Sequence, residues 1–378
     1  MSVLLLIIGL LLFVGLVVLH EFGHFIMARR NGVEIEEFGI GFPPRAWAKR
    51  IRDKKGEYDF SINWLPLGGF VKLRGEHEMD TEKGTFGAAS LSAKVKIMLA
   101  GVVMNLITAF VLLTFLALVG IPKLIDNQFT VTNDTKVVKH EVLVGYVEPG
   151  SPAEKAGLQA RDEIGSIGPV NGQQVALESS KNLPEVTKQY AGQQVEISYR
   201  HNGEAKVSTT QLRSTGEVEA SLKTDSPKGY LGLAPTEYTV QRSTWSAPVV
   251  AAGLMKQFTE LTYKGLGSAV AGLASGDTKK ATEQVSGPVG IFVLIKEGTF
   301  LGPEFILMII AVISLTLALI NVLPIPALDG GRLFLILAFR AVRKPLTPKL
   351  EEWINGMGFA ALMLLFVLIT IVDVKRFF

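Results

Sequence analysis

The sequence contains no cysteine, and this absence removes several kinds of chemistry from consideration. Without a thiol the chain forms no disulfide, offers no cysteine nucleophile and binds no zinc through sulfur. A large excess of one charge is also missing, because 38 basic and 35 acidic residues leave a formal net charge of only +3. No concentrated basic tract is present either, so we expect no nucleic-acid partner.

Apolar residues are abundant instead: hydrophobic residues make up 48% of the chain, and the mean hydropathy of +0.34 is high for a soluble protein. Four apolar segments come near the roughly 20 residues that cross the hydrocarbon core of a bilayer. They cover residues 3–19, about 95–121, about 305–323 and about 359–372. A cleavable signal peptide is the alternative for the first, but a basic n-region and a small-residue cleavage site are missing. The sequence therefore predicts a polytopic α-helical membrane protein with about four transmembrane helices.

The first apolar segment ends in the HExxH motif His20-Glu21-Phe22-Gly23-His24. In a helix His20 and His24 share one face, where both imidazoles can bind one metal ion, and Glu21 can reach a metal-bound water as general base. The motif also arises by chance in unrelated proteins. Here it follows a run without charge, and ionisable residues inside a membrane segment are costly and usually functional. The pattern predicts a protease that works within the bilayer.

A third metal ligand is expected to be a carboxylate, because only two of the five histidines have metal-ligand spacing. The third apolar segment ends in the run 321–329, Asn-Val-Leu-Pro-Ile-Pro-Ala-Leu-Asp, whose two prolines interrupt a helix. Unwound backbone at membrane depth is tolerated only beside protein or a wet cavity. Asp329 could simply begin a turn with Gly330. As the sole acid between Glu304 and Glu351, it is instead predicted to complete a zinc site.

Basic residues concentrate in the short connections between the first two and the last two apolar segments. They are Arg29, Arg30, Arg45, Lys49, Arg50, Arg52, Lys54, Lys55, Arg340, Arg343, Lys344 and Lys349. Because basic short loops favour the cytoplasm, both connections are predicted to be cytoplasmic, and the termini and the polar region 122–303 to lie outside. Lys375 and Arg376 near the C-terminus point the other way.

A β-hairpin is predicted in the first of these connections. Residues 57–64 alternate polar and apolar side chains, as a half-buried strand does. A proline and the pair Gly68-Gly69 then turn the chain into a second short strand, 70–73. Such a hairpin beside the zinc helix can offer its edge to an extended peptide, so Gly68, Gly69 and Phe70 are predicted to contact substrate. An ordinary hairpin at the membrane surface is the alternative.

The polar region between the second and third segments predicts an α+β domain over about 142–211, with strands, a short helix ended by glycine, and turns. Residues 149–164, PGSPAEKAGLQARDEI, resemble a PDZ domain. That resemblance implies that 143–147 forms the carboxylate-binding and peptide-pairing region; a spacer without ligand affinity is the alternative. No second copy is evident. Residues 243–274 have helical spacing and could lie on the outer membrane face or pack against the PDZ-like domain.

These motifs together resemble the site-2 protease family of intramembrane metalloproteases. The HExxH motif, the NxxPxPxLDG run and a PDZ-like insertion between the second and third segments carry the resemblance. The segments 63–76, NWLPLGGFVKLRGE, and Ser286–Gly290 are similar to the bacterial RseP-type branch with a single PDZ-like domain. Gly101-Val-Val-Met-Asn105 matches a GPxxN pattern, with Val102 where the family has proline.

The resemblance implies that His20, His24 and Asp329 hold Zn²⁺ and that Glu21 is the catalytic acid/base. Asn321 would contact the substrate backbone or the developing oxyanion, and Asn105 would be a substrate or active-site contact.

It also implies an intramembrane zinc metalloendopeptidase for regulated intramembrane proteolysis, with membrane lipid around it. Its substrates would be single-span membrane proteins, such as anti-sigma factors or remnant signal peptides. It would lie in the bacterial inner membrane, with the active site near the cytoplasmic leaflet, the hairpin on the cytoplasmic side and the PDZ-like domain, with its peptide ligand, outside. The alternatives are a catalytically inactive PDZ-containing scaffold and a metal-handling membrane protein.

The expected organisation is 1–28 first transmembrane helix, 29–94 cytoplasmic loop and hairpin, 95–121 second helix, 122–241 PDZ-like domain, 242–303 amphipathic helix and connector, 304–335 third helix, 336–356 cytoplasmic loop and 357–378 fourth helix.

Overall fold

The fold is described from a computed structural model that defines residues 2–54, 56–224, 226–277 and 287–377. Ser286, the first residue of one family-like segment, lies outside these ranges, as does Phe378. Two compact units are present. The first comprises Met1–Val119, Gln128–Val131 and Thr244–Phe378, and the second comprises Gly120–Asn127 and Thr132–Ser243.

The described elements follow one another along the chain in this order. They are α1 (Ser2–Arg30), β1 (Ile35–Asp53), β2 (Gly56–Leu73), α2 (Leu91–Val119), β3 (Ile121–Pro122), β4 (Lys136–Val147), α3 (Pro152–Lys155), β5 (Glu163–Pro169), β6 (Val175–Ala176), α4 (Asn182–Gln189), β7 (Gln194–His201), β8 (Glu204–Gln211), α5 (Thr215–Ser221), β9 (Leu233–Arg242), α6 (Ala247–Ser275), α7 (Pro288–Gly298), α8 (Pro303–Asn321), α9 (Asp329–Ala341) and α10 (Pro348–Phe377).

Four of these helices are long and apolar enough to cross a membrane, as the sequence predicts. They are Val3–Arg30, Leu91–Val119, Pro303–Asn321 and Pro348–Phe377. At 1.5 Å per residue, even the shortest, with 19 residues, reaches about 29 Å, close to the thickness of the hydrocarbon core. The fourth helix begins well before residue 357, and α9 occupies part of 336–356, so much of the expected cytoplasmic loop is helical. Polar helical turns can extend beyond a bilayer because water solvates their side chains.

The chain unwinds between α8 and α9, where the two prolines predict a break. Residues 322–328 have no regular helix, and Ala327 adopts a positive φ of 74°. The chain folds back so closely that a Cβ on Gly331 would overlap the carbonyl oxygen of Ile325. The expected third helix, 304–335, is therefore two helices, and Asp329 is the first residue of the second.

The sheet beside α1 differs from the predicted hairpin. Residues 57–64 and 70–73 belong to one long strand, β2, and both pair with β1 rather than with each other. Phe38 of β1, for example, lies opposite Phe60 and opposite Val71. β1 was not predicted because its many charged residues do not alternate with apolar ones. In the structure, Arg50 and Arg52 form ion pairs with acidic residues of β2 on the neighbouring strand.

Aromatic side chains join this sheet to the zinc helix. The Phe25 ring of α1 lies 5.3 Å from the ring of Phe38 and 5.1 Å from that of Tyr58. Phe25 and Phe38 are buried, and edge-to-face pairs of this kind add to the stabilisation by apolar burial. The packing fixes the sheet against the helix that carries HExxH.

Helix α6 belongs to the first unit and packs against α2 and α8. Val250, Leu254 and Phe258, which share one helical face, are buried. The sequence leaves two positions open for this helix, and the contacts place it on the apolar helices.

The second unit is an α+β domain with the strand order β3-β9-β4-β5-β7-β8, and β6 pairs with β5. Its core contains Val195 and Ile197, which alternate on β7, and Ile164 and Ile167 of β5, between which the pairing with β7 shifts register. Residues 143–147 pair with β9 along one edge, and on the other edge β5 pairs with Leu143 at the start of the segment, so β5 covers part of the strand expected to pair with a peptide.

Candidate metal centre

The two histidines and the distant aspartate meet as the sequence predicts. Asp329 Oδ2 lies 3.0 Å from His20 Nε2 and 3.1 Å from His24 Nε2, and the two Nε2 atoms are 3.2 Å apart. Both histidines are buried, with 8% and 6% of their surface exposed. The three donors are the only metal-ligand group found among the described residues.

These separations fit a tetrahedral zinc site. Zinc binds imidazole nitrogen and carboxylate oxygen at about 2.0–2.2 Å, and tetrahedral bonds of that length hold neighbouring donors about 3.3–3.6 Å apart. The three observed distances are shorter than this range by only a few tenths of an ångström. Two imidazoles and one carboxylate also leave one coordination position for water.

Helix α2 covers the outer side of both imidazoles. His24 Nδ1 donates to the carbonyl oxygen of Ile97 at 2.8 Å, which leaves the Nε2 lone pair for a metal. One turn further along α2, a Cβ on Gly101 would lie 2.5 Å from His24 Nε2 and 2.6 Å from His20 Nε2. Sequence reasoning notes Gly101 only as part of a motif, and the structure gives the reason for a glycine there.

Asn105 lies on the same face of α2, one turn beyond Gly101, and is buried. Its Nδ2 lies 3.3 Å from His20 Nδ1. Asn105 is therefore next to a proposed ligand, which agrees with the expected active-site contact. Contact with a substrate stays a prediction.

Glu21 faces the sheet beside α1. A Cβ on Gly69 would lie 3.7 Å from Glu21 Cγ. Gly68 approaches α1 as well, with its would-be Cβ 3.2 Å from Val17 Cγ1. The Phe70 ring instead covers Gly39 of β1. Whether these residues contact substrate stays a prediction.

Asn321 is the last residue of α8, half-buried, where the chain leaves the helix on its way to Asp329. This position is next to the broken segment. Its role toward substrate stays a prediction.

Arg332 ties the start of α9 to two other segments, which sequence reasoning misses. Its guanidinium donates to Glu76 Oε2 at 3.2 Å and lies 4.9 Å from the Phe86 ring centroid. Its Nε is 3.5 Å from Glu351 Oε1, and Glu351, at the start of α10, is only 3% exposed. We call Arg332 with Glu76, Phe86 and Glu351 the clamp. Because buried Glu351 needs a cationic partner, these contacts hold in place the helix that begins with Asp329.

A cavity of about 480 Å³ lies beside this clamp and is lined by Asp329, one of the three candidate metal ligands. Its lining includes Asp329, Arg332, Glu76, His77, Glu351, Glu352 and Asn355. A space of this size could hold several water molecules next to Asp329.

A second polar arrangement lies in the α+β unit, around residues 229–232. The carbonyl oxygens of these four residues all accept hydrogen bonds from elsewhere in that unit. The donors are Arg213 Nη1, Arg213 N, Ala153 N and Glu148 N, in chain order of the acceptors. Among the described residues, none accepts a hydrogen bond from the N–H groups of 230–232. Gly232, with φ of 75°, turns the chain into β9.

Glu237 on β9 is held ionised by serine donors. Hydrogen bonds from Ser180 and Ser179 lower the pKa of Glu237 to about 2. They connect β9 to the segment just before α4.

Comparisons with known proteins agree with this centre. The chain matches the model of peptidase family M50 over residues 8–365. A protein of Clostridium acetobutylicum whose name proposes a zinc metalloprotease is 30% identical over 371 residues, 97% of this chain and 96% of that protein. Zinc metalloprotease RasP of Shouchella clausii is 27% identical over an alignment of 448 positions that covers 97% of this chain and 98% of that protein. Regulator of sigma-W protease RasP of Bacillus subtilis is 26% identical over 452 residues, 98% of each chain. Since the family match extends over nearly the whole sequence, the chain belongs to peptidase family M50, the site-2 protease family of zinc metalloproteases.

Proposed function

We propose that the protein performs regulated intramembrane proteolysis with His20, His24 and Asp329 as zinc ligands and Glu21 as the acid/base. The observation that carries this proposal is the convergence of three donor atoms to within 3.0–3.2 Å. Two of them belong to a helix long and apolar enough to span a membrane. The third begins a helix directly after a break, and it lines a cavity.

His20, His24 and Asp329 would hold the zinc, which would lower the pKa of a water and polarise the scissile carbonyl. Glu21, next to His20, accepts the proton of the attacking water and returns it to the leaving amine. Asn321, at the end of α8, donates its amide to the substrate backbone or to the developing oxyanion.

The substrate segment is proposed to be extended and to lie along residues 69–73 of β2. These residues pair with β1 along one edge, and Gly69 lies beside Glu21. A peptide that adds to the other edge would bring its carbonyl groups next to the acid/base. Gly68 and Gly69 leave room for a backbone there, because they carry no side chain.

Four apolar helices and relatives from bacteria support a bacterial membrane protein. We place it in the inner membrane, with the zinc site near the cytoplasmic leaflet and the α+β domain outside, because the basic residues lie in the short connections. The B. subtilis relative is named for the regulation of a sigma factor. Anti-sigma factors with one span are therefore the proposed substrates here, with remnant signal peptides as the second class.

The α+β domain is proposed to bind a peptide in the manner of a PDZ domain, at residues 229–232 rather than 143–147. The carbonyls of 229–232 are held from behind by Arg213, Ala153 and Glu148. Three successive N–H groups can therefore receive a terminal carboxylate. Changing Gly232, whose φ is positive, to valine should abolish capture of a C-terminal peptide, whereas a V207T change on β8 should not.

The activity is tested by co-expression with a single-span substrate. The variant E21Q should abolish cleavage and still contain one zinc per chain, because only the proton acceptor is removed. The variant D329A should lose zinc as well. The exposed Glu57, which pairs with Arg52, provides the control E57Q with normal cleavage. Cleavage by E21Q at the wild-type rate would contradict the role of Glu21, and a full complement of tightly bound zinc in D329A would contradict the ligand set.

A further inference from the structure

Asn105 is a buried polar residue whose hydrogen bonding is incomplete. It is 1% exposed and lies on an apolar helix among buried neighbours. Its Nδ2 lies 3.3 Å from His20 Nδ1, whereas its Oδ1 is buried and has no partner among the described residues. Only the amide atom that faces His20 has a hydrogen-bond partner, so the orientation of the amide is decided by whether His20 Nδ1 carries a proton.

A rotation of the Asn105 amide by 180° about the Cβ–Cγ bond exchanges Oδ1 and Nδ2, so that Oδ1 lies next to His20 Nδ1. In that orientation Nδ1 carries the proton and donates to Oδ1. The other ring nitrogen, Nε2, is then unprotonated and faces Asp329 and His24. The opposite orientation would require a proton on Nε2, where it would block metal binding.

His24 has a corresponding partner about two turns earlier on α2. Its Nδ1 donates to the carbonyl oxygen of Ile97 at 2.8 Å. Ile97, Gly101 and Asn105 are spaced four residues apart and so share one face of the helix. The hydroxyl of Ser314 donates to the Asn105 carbonyl at 2.9 Å and ties this part of α2 to α8.

We propose that Asn105 is a positioning residue: its Oδ1 accepts the Nδ1 proton of His20 and thereby directs the His20 Nε2 lone pair at zinc. The inference rests on the proposed ligand set. It gives Asn105 a role in metal binding and not in contact with the substrate. Helix α2 then fixes the tautomers of both histidines, once through a side chain and once through its backbone.

The test measures zinc affinity of the full-length protein in detergent by competition with a zinc chelator. Partners of metal-bound histidines typically contribute about 10–100-fold in affinity, so N105L should bind zinc that much more weakly. The variant N105D keeps an oxygen acceptor and should recover most of the affinity. The control is T108V on the same helix, because Thr108 donates only to the carbonyl of Met104 and should leave zinc binding unchanged.

Gel filtration and thermal unfolding of each variant separate zinc loss from misfolding, and N105D supports the proposal even if N105L fails to fold. Equal affinity of N105L, N105D and wild type would overturn it. So would a raised KM for N105L with unchanged zinc affinity, which would make Asn105 a substrate contact. H20A tests the ligand set separately: tight zinc in H20A refutes the proposed site, whereas zinc loss in H20A with normal N105L refutes only the role of Asn105.

Discussion

Replacing Gly101 with alanine should displace both histidines from zinc. The added Cβ would lie 2.5 Å from His24 Nε2, 2.6 Å from His20 Nε2 and 2.5 Å from His20 Cε1. Non-bonded carbon and nitrogen atoms need about 3.5 Å, so the rings would have to retreat by about 1 Å. Zinc coordination tolerates about 0.2 Å.

The helices cannot absorb this displacement by moving apart freely. At Gly23, between the two histidine-bearing turns, a Cβ would lie 2.6 Å from the Ala100 carbonyl oxygen, so the backbones of α1 and α2 are already in contact. Alanine is also favoured over glycine within a helix by about 1 kcal/mol. G101A should therefore keep a folded α2 and bind zinc at least about 10-fold more weakly, as second-shell changes commonly do.

The assay is metal content after purification, followed by chelator competition and cleavage of a single-span substrate. The matched control is G15A on α1, because a Cβ on Gly15 would meet nothing within 4 Å. G15A should retain both zinc and cleavage. Zinc binding by G101A as tight as that of G15A would refute the argument that an absent side chain makes room for the ligands.

Three further predictions concern other parts of the chain. R332Q should lower the unfolding temperature in detergent because buried Glu351 loses its cation, and R332Q/E351Q should recover part of the loss; no recovery would contradict the clamp. Asp373 Oδ2 accepts hydrogen bonds from the backbone N–H groups of Gly287 and Gly290 at 2.8 Å. D373L should therefore destabilise the protein by about 1–3 kcal/mol for each donor left without a partner, and D373N should have a smaller effect. Equal unfolding temperatures of wild type and D373L would contradict this. Because the pKa of Glu237 is lower in the folded protein, its ionised form stabilises β9 above about pH 4.5. This contribution, about 1 kcal/mol after allowance for solvent screening, is lost as the pH falls toward 2. Hydrogen exchange of residues 233–242 at pH 5 and 3, corrected for intrinsic rates, should show this loss in wild type and not in E237Q.

The predicted zinc ligands depended on patterns that are local in sequence. Because helical spacing places residues i and i+4 on one face, HExxH predicts the relation of His20 to His24 without any tertiary information. Asp329 stands out for a similar reason, as an isolated acid after two prolines. The family resemblance joined the two motifs, and the structure gives their contact, across 309 residues.

Other parts of the site leave no local pattern. The partner of Arg332 is Glu76, 256 residues away, and neither residue is unusual in its own segment. The β-sheet beside α1 was only half predicted, because one strand, β1, is dominated by charges that pair across the ladder. In the α+β unit the expected peptide-pairing strand lies inside the sheet, since strand order follows from long-range pairing that alternation alone does not encode.

By itself, then, the sequence determined the four apolar helices and the break after Asn321, and it singled out three candidate metal ligands that the structure brings together. These follow from hydrophobicity, from the helical period and from proline's missing N–H, all of which act over a few residues. Only the tertiary structure decided why Gly101 must lack a side chain, where Asn105 directs its amide and what holds Asp329 in place. Those features depend on distances between helices, and such distances are set by packing of residues far apart in the chain.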